Sequence, residues 1–296
     1  MIKFTTFITT RKVNNDMSKL KYELTKTPFD VLNLVKMGKV LLVDFQDDVL
    51  FNPLEAMGNI VFGVTSNTEL ADKMYQGGFD NVFVFDTVNM DMLFHENEFD
   101  TIIVDGGLHE MFTRYRNGNA SEKLEFNRKA GAKSMVTFFV KAYDMLKDGG
   151  KLIIRDYSLP DVEYENDNIM IGRDENFENY LQKYLESEMN QGLWINNEYK
   201  RTVDENLDII FFKINELINV FASIIEGKPN SQDKEFAFLS FRGIIKYLEL
   251  SGFEQIEFDT FSDERMIILA QHLKYKNYSR DENLLPDTNM LLVATK

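Results

Sequence analysis

Between residues 40 and 155 the chain repeats one unit: a short apolar run, a turn, an amphipathic helix, and another run. The runs are VLLVDF at 40–45, IVFGVT at 60–65, NVFVF at 81–85, TIIV at 101–104 and KLIIR at 151–155. Each is too short for a helix and rich in residues that suit a pleated backbone. Helix signals fill the gaps. Pro53 and Gly58 bracket one short helix, and Ser66 or Asn67 can cap a second at 68–76 that ends at Gly77 and Gly78. Met135, Phe138, Phe139, Ala142, Tyr143 and Leu146 recur at three-to-four spacing and mark a longer helix, with Gly149 and Gly150 as its stop. Apolar strands alternating with helices mean βαβ units and a parallel sheet covered on both faces. The fold class is therefore α/β.

In an open α/β sheet, ligands bind at the carboxyl ends of the strands. The fourth run ends there in Asp105, Gly106, Gly107, Leu108, His109 and Glu110. Two adjacent glycines suit a sharp turn or a close approach. Histidine as a residue type can move protons near neutrality, so His109 is a candidate general base, with Glu110 or Asp105 to orient it; the alternative is a helix-start residue that faces solvent or merely caps. Asp156 ends the fifth run on the same edge, so Asp105 and Asp156 could perform acid–base work or hold a cation. Each could equally cap a helix or pair with Arg155. His95 and His272 read as structural or exposed, and three scattered histidines do not form a metal-ligand pattern.

From residue 157 the rhythm breaks. Residues 156–210 hold fourteen acidic and four basic side chains, a net of −10. Phe177, Tyr180, Leu181, Tyr184, Leu185 and Met189 form an amphipathic stripe, and 208–225 is apolar enough for a buried helix. The α/β pattern resumes with a helix at 235–250, a strand at 254–258, a helix at 263–273 and a strand at 290–294. The expected organisation is an N-terminal extension at 1–37, an α/β domain at 38–156 and 235–296, and an acidic helical insertion at 157–234 acting as a cap. Within the extension, a strand at 3–8 and a short helix at 28–35 are expected.

Hydrophobic residues make up 44% of the 296 and aromatics 13%, ample for a core. A net charge of −15 disfavours broad nucleic-acid binding. The absence of cysteine removes disulfides, thiolate metal sites and a cysteine nucleophile. Neither a signal peptide nor a run of about 20 apolar residues is present, so a cytoplasmic protein with no membrane contact is expected.

Three segments carry a family resemblance. Asp86 follows the third run and leads through NMDMLFHENEFD at 89–100 into the fourth; LKDGGKLIIRD at 146–156 joins a long helix to the fifth; LSGF at 250–253 precedes the sixth. In this order and spacing they resemble the class I S-adenosylmethionine-dependent methyltransferases, over residues 38–158 and 236–296. The resemblance implies a Rossmann-like, mostly parallel seven-stranded sheet whose last strand is antiparallel, with helices on both faces. It also implies S-adenosylmethionine as cofactor, held by Asp44, Phe45, Gln46, Thr65, Ser66, Asn67, Asp86 and Thr87. Two positions depart from the family pattern. Its Gly-x-Gly turn after the first strand is replaced by Asp44, Phe45, Gln46 and Asp47, which bring side chains where a close approach is wanted. Its acidic residue after the second strand is replaced by Thr65, Ser66 and Asn67, neutral partners for a ribose.

Arg114, Arg116, Lys123, Arg128, Lys129 and Lys133 give the segment after the fourth strand a net of +4. Arg114 and Arg116, with Asp156 and Tyr157, are candidates for binding an anionic or polar substrate; pairing with the acidic insertion is the alternative. The resemblance implies methyl transfer to a small molecule or protein side chain, with His109 and Asp105 as candidate catalytic residues. Two other readings stay open. One is an inactive scaffold that binds a protein partner through its acidic insertion; the other is a nucleic-acid methylase using the basic segment.

Overall fold

The computed structural model describes residues 28–45, 47–116, 128–160, 164, 167–172, 174–190, 203–204, 209–226, 239–283 and 285–296. The expected strand at 3–8 lies outside them, as do Gln46 and most of the basic segment.

The five apolar runs become β1 Lys39–Val43, β2 Ile60–Thr65, β3 Val82–Val84, β4 Phe99–Asp105 and β5 Leu146–Tyr157. Two later strands, β9 Gln255–Phe261 and β11 Asn289–Thr295, complete the large sheet. Its order is β3-β2-β1-β4-β5-β11-β9. Neighbours from β3 to β5 are parallel, whereas β11 runs antiparallel to both β5 and β9. The strand order reverses between β1 and β4, the switch point at which such sheets bind ligands.

Period-two alternation divides the strands between two cores. Val40 and Leu42 of β1 and Ile103 of β4 face α1 Pro28–Leu32, α2 Phe51–Ala56 and α3 Thr68–Gln76. Leu41, Val43, Ile102 and Val104 face α4 Leu108–Arg116, α5 Arg128–Met145 and α8 Phe241–Leu250. Val31 and Leu32, from the expected N-terminal extension, are buried in the first of these cores. The long helix stops at Met145, earlier than its glycines suggested. The chain is already extended at Leu146 and turns at Gly149, whose φ of +65° suits glycine.

The insertion is not purely helical, contrary to the expectation. It contains β6 Asn168–Gly172, β7 Val203–Asp204 and β8 Ile209–Lys213 besides α6 Glu175–Asn190 and α7 Ile214–Ile225. Residues 209–213 pair antiparallel with β6 instead of starting the helix. The apolar run 209–212 is too short and unbroken to carry a period that separates strand from helix, and its β-branched and aromatic residues took the strand. A second sheet runs β10-β6-β8-β7, with β10 Lys276–Asn277 supplied from beyond α9 Glu264–His272. Met266, Leu269, Ala270 and Leu273 pack with Phe177, Leu181, Leu217 and Phe221, so α9 closes the insertion's core.

Candidate active site

Asp44 ends β1 in the left-handed region, φ +47°, a conformation that aspartate tolerates better than most non-glycine residues. It takes up there the turn that a glycine would otherwise make. Its amide donates to Val64 O at 2.9 Å, which ties the turn to β2. Gly107 presses on it from β4: a Cβ at Gly107 would stand 2.6 Å from Asp44 O and 2.8 Å from its Cβ. Phe45 does not enter the cleft. Its ring packs on Phe51 with centroids 4.9 Å apart, in the space left by the missing side chain of Gly63 in β2.

The Asp44 carboxylate is buried, with its side chain 4% exposed. Thr87 Oγ1 donates to Oδ2 at 2.8 Å, and Arg114, reaching back from α4, donates to Oδ1 and Oδ2 at 3.2 and 3.3 Å. A third bond runs from Arg114 to Thr87 Oγ1 at 3.2 Å. Ser66 N lies 3.5 Å from Oδ1. Asp44, Thr87, Arg114 and Ser66 thus meet over the ends of β1, β2 and β3.

The remaining expected cofactor residues are engaged locally. Thr65 is buried and its hydroxyl accepts from Asn67 N; Asn67 caps α3 by accepting from Leu70 N. Asp86 caps the 3-10 turn Thr87–Met92, accepting from Val88 N and from Asn89 Nδ2. The neutral side chains at the end of β2 therefore hold the start of α3 together, and the acidic groups on this side of the cleft come from the ends of β1 and β3, Asp44 and Asp86.

Across the switch point, Asp156 collects His109. Its Oδ2 accepts from His109 N at 3.0 Å and its Oδ1 lies 2.7 Å from His109 Nδ1. Oδ1 also accepts from Tyr157 N at 2.7 Å. The Asp156 side chain has no exposure and His109 is 4% exposed. A carboxylate can only accept, so Nδ1 carries the hydrogen of this bond, and Nε2 lies 3.9 Å from Glu110 Oε1. Asp156, not singled out for this from the sequence, holds the ring at Nδ1; of the two orienting residues expected, Glu110 stands on the Nε2 side and Asp105 is bonded to Arg155. Tyr157 packs edge-on against His109 at 5.9 Å and donates its hydroxyl to Glu226, the residue that ends α7. Burial first, then the Glu226 charge, pushes the Tyr157 phenol well above its usual range.

Asp105 is spent on Arg155, whose Nε donates to its Oδ1. Burial raises the Asp105 carboxyl despite that arginine, with Asp156 and Asp47 adding to the rise. Arg116 belongs to α4, and its side chain lies outside the described residues. His95 is exposed, and His272 sits 3.2 Å from Asp174 on the surface. Among the described residues no group of three or more His, Asp or Glu could hold a metal ion, and no helix is long and apolar enough to cross a membrane.

No family model and no curated protein matches the sequence. Solved structures do match. An S-adenosylmethionine dependent methyltransferase from Mesorhizobium loti is similar with a TM-score of 0.50 at 12% identity, over 91% of this chain and 96% of that one. The chain has the class I methyltransferase fold. SAM-dependent methyltransferases from Archaeoglobus fulgidus and Methanosarcina mazei each give a TM-score of 0.47 at 10% identity. They cover 94% and 90% of this chain and 94% and 96% of their own. At such identities the likeness concerns the path of the backbone. The side chains of the cleft are this chain's own.

Proposed function

We propose that this chain is an S-adenosylmethionine-dependent methyltransferase acting on a small molecule or a protein side chain. The observation that carries the reading is the buried His109–Asp156 dyad beside the switch point of a methyltransferase-fold sheet. A buried carboxylate that accepts from His109 N and holds Nδ1 fixes the direction of the ring, and with it the place of Nε2, the atom that would take a proton from an acceptor.

The residues fit the cofactor. Asp44 makes the turn after β1 without glycine, Phe45 leaves the cleft for the core, and the buried Asp44 carboxylate offers an anion to a cationic ligand. Asp44, the backbone of 65–67, Asp86 and Thr87 would hold it. When bound, it supplies a methyl group on a positively charged sulfur, open to in-line attack by a nucleophile. Alignment of that nucleophile accounts for most of the rate. His109 Nε2 takes the proton the acceptor loses, and Asp156 stabilises the imidazolium through Nδ1. Tyr157 and the insertion it is tied to exclude water from the dyad.

Calorimetric titration with S-adenosylmethionine and S-adenosylhomocysteine tests the cofactor, with micromolar binding expected; no binding at millimolar ligand overturns the reading. His109→Ala and Asp156→Asn should slow methyl transfer to an accepted substrate about 100- to 10,000-fold with cofactor affinity unchanged. Unaltered transfer in His109→Ala removes the histidine from the chemistry. One observation favours the scaffold reading instead: the Asp44 carboxylate stands where the family has a glycine and is already bonded to Arg114 and Thr87. The same titration separates the two readings.

A further inference from the structure

We propose that Arg114 is an internal latch, a cation that neutralises Asp44 and closes the cofactor cleft in the free chain, and that a cationic ligand displaces it. The inference rests on the methyltransferase reading and adds a regulation to that site.

The geometry separates a fixed member from a loose one. Asp44 cannot move far: its amide is bonded to β2, Gly107 packs against its carbonyl, and its side chain is buried. Arg114 can. It lies two residues from the end of α4 with its side chain 33% exposed. Its three bonds, at 3.2 to 3.3 Å, are longer than the roughly 2.7–2.9 Å of a strong charge-assisted pair. The bond from Thr87 to Asp44, at 2.8 Å, is the short one in the group.

A buried carboxylate needs a positive partner at all times, because leaving it unpaired is costly. Arg114 fills that role in the free chain. S-adenosylmethionine carries an ammonium and a sulfonium, so its arrival can replace the guanidinium without leaving Asp44 alone. Arg114 then swings out to the carboxyl edge, where it is free to take an anionic group on the acceptor. Binding and latch opening are one equilibrium. The apparent affinity is lowered by the fraction of chains whose latch is open.

The test compares wild type, Arg114→Met and Arg114→Lys by calorimetry with S-adenosylmethionine and by thermal unfolding without ligand. Arg114→Met should unfold at lower temperature when free and bind about tenfold more tightly, as expected for a latch closed in about nine chains of ten. Arg114→Lys keeps a positive charge beside Asp44, and therefore the fold, but loses the guanidinium's bond to Thr87. It should bind more tightly by a smaller factor, and it decides the matter if Arg114→Met does not fold. Equal or weaker binding by the variants, with wild type still binding, overturns the latch and leaves the methyltransferase reading intact. No binding by any of the three overturns both.

Discussion

Asp44 and Gly107 illustrate how one residue's freedom supports another's. Asp44 adopts a left-handed backbone at the end of β1, and the missing side chain of Gly107 lets the turn after β4 lie against it. Where the resemblance implies glycines after β1 this chain carries Asp44, and its own adjacent glycines, Gly106 and Gly107, follow β4. Gly107→Ala would place a methyl 2.6 Å from the Asp44 carbonyl oxygen, which cannot swing aside as a side chain can. The substitution should cost about 1–3 kcal/mol, read by urea denaturation, and should weaken cofactor binding by shifting Asp44. Phe45 and Gln46 bring side chains to the turn after β1; Gln46 lies outside the described residues, and the Phe45 ring packs away on Phe51. Only the tertiary position of Gly63 shows where the ring goes.

At the level of elements, α3 separates a structural role from a ligand role. Asn67 accepts from Leu70 N as an N-cap, and Thr65 is bonded to Asn67 N, so neither side chain is free for a ribose without releasing the helix start. Asn67→Ala should therefore cost about 1 kcal/mol of stability, measured by chemical denaturation, with cofactor affinity unchanged. A loss of affinity larger than the loss of stability would make Asn67 a ligand. The cap was legible in the sequence because it depends on residues three apart. The strand β8 was not, because its residues 209–212 are apolar without alternation and its partner β6 lies some forty residues upstream.

Over the whole molecule, the two ends of the large sheet behave differently. Its carboxyl edge carries the site. Its amino edge is tied by Asp100, which accepts from Lys39 N at 2.9 Å and from Lys147 Nζ at 2.7 Å, with Gly38 leaving room for the carboxylate. Burial alone would raise the Asp100 carboxyl, but Lys147 and the Lys39 amide outweigh it and hold it below its usual value. A lowered folded-state value means stability that is present above about pH 4 and lost as pH falls through that lower value. Asp100→Asn should accordingly reduce stability near neutrality and flatten its fall in acid, seen in unfolding curves from pH 7 to pH 2. The insertion's core is completed by α9, which follows β9, so cap and sheet are joined through one buried cluster.

The alternation of β-branched runs and amphipathic helices determined the α/β class, the parallel strands and the edge on which a site must lie, since these follow from local periodicity and strand direction alone. The approximate bounds of β1 to β4 and a cap at Ser66 or Asn67 were equally local, and the structure chose Asn67. The tertiary structure alone decided which charges meet. Asp44 and Arg114 are 70 residues apart, and His109 and Asp156 are 47 apart. No sequence period encodes such pairings, because a buried carboxylate selects its partner by proximity in the folded sheet and by the cost of remaining alone.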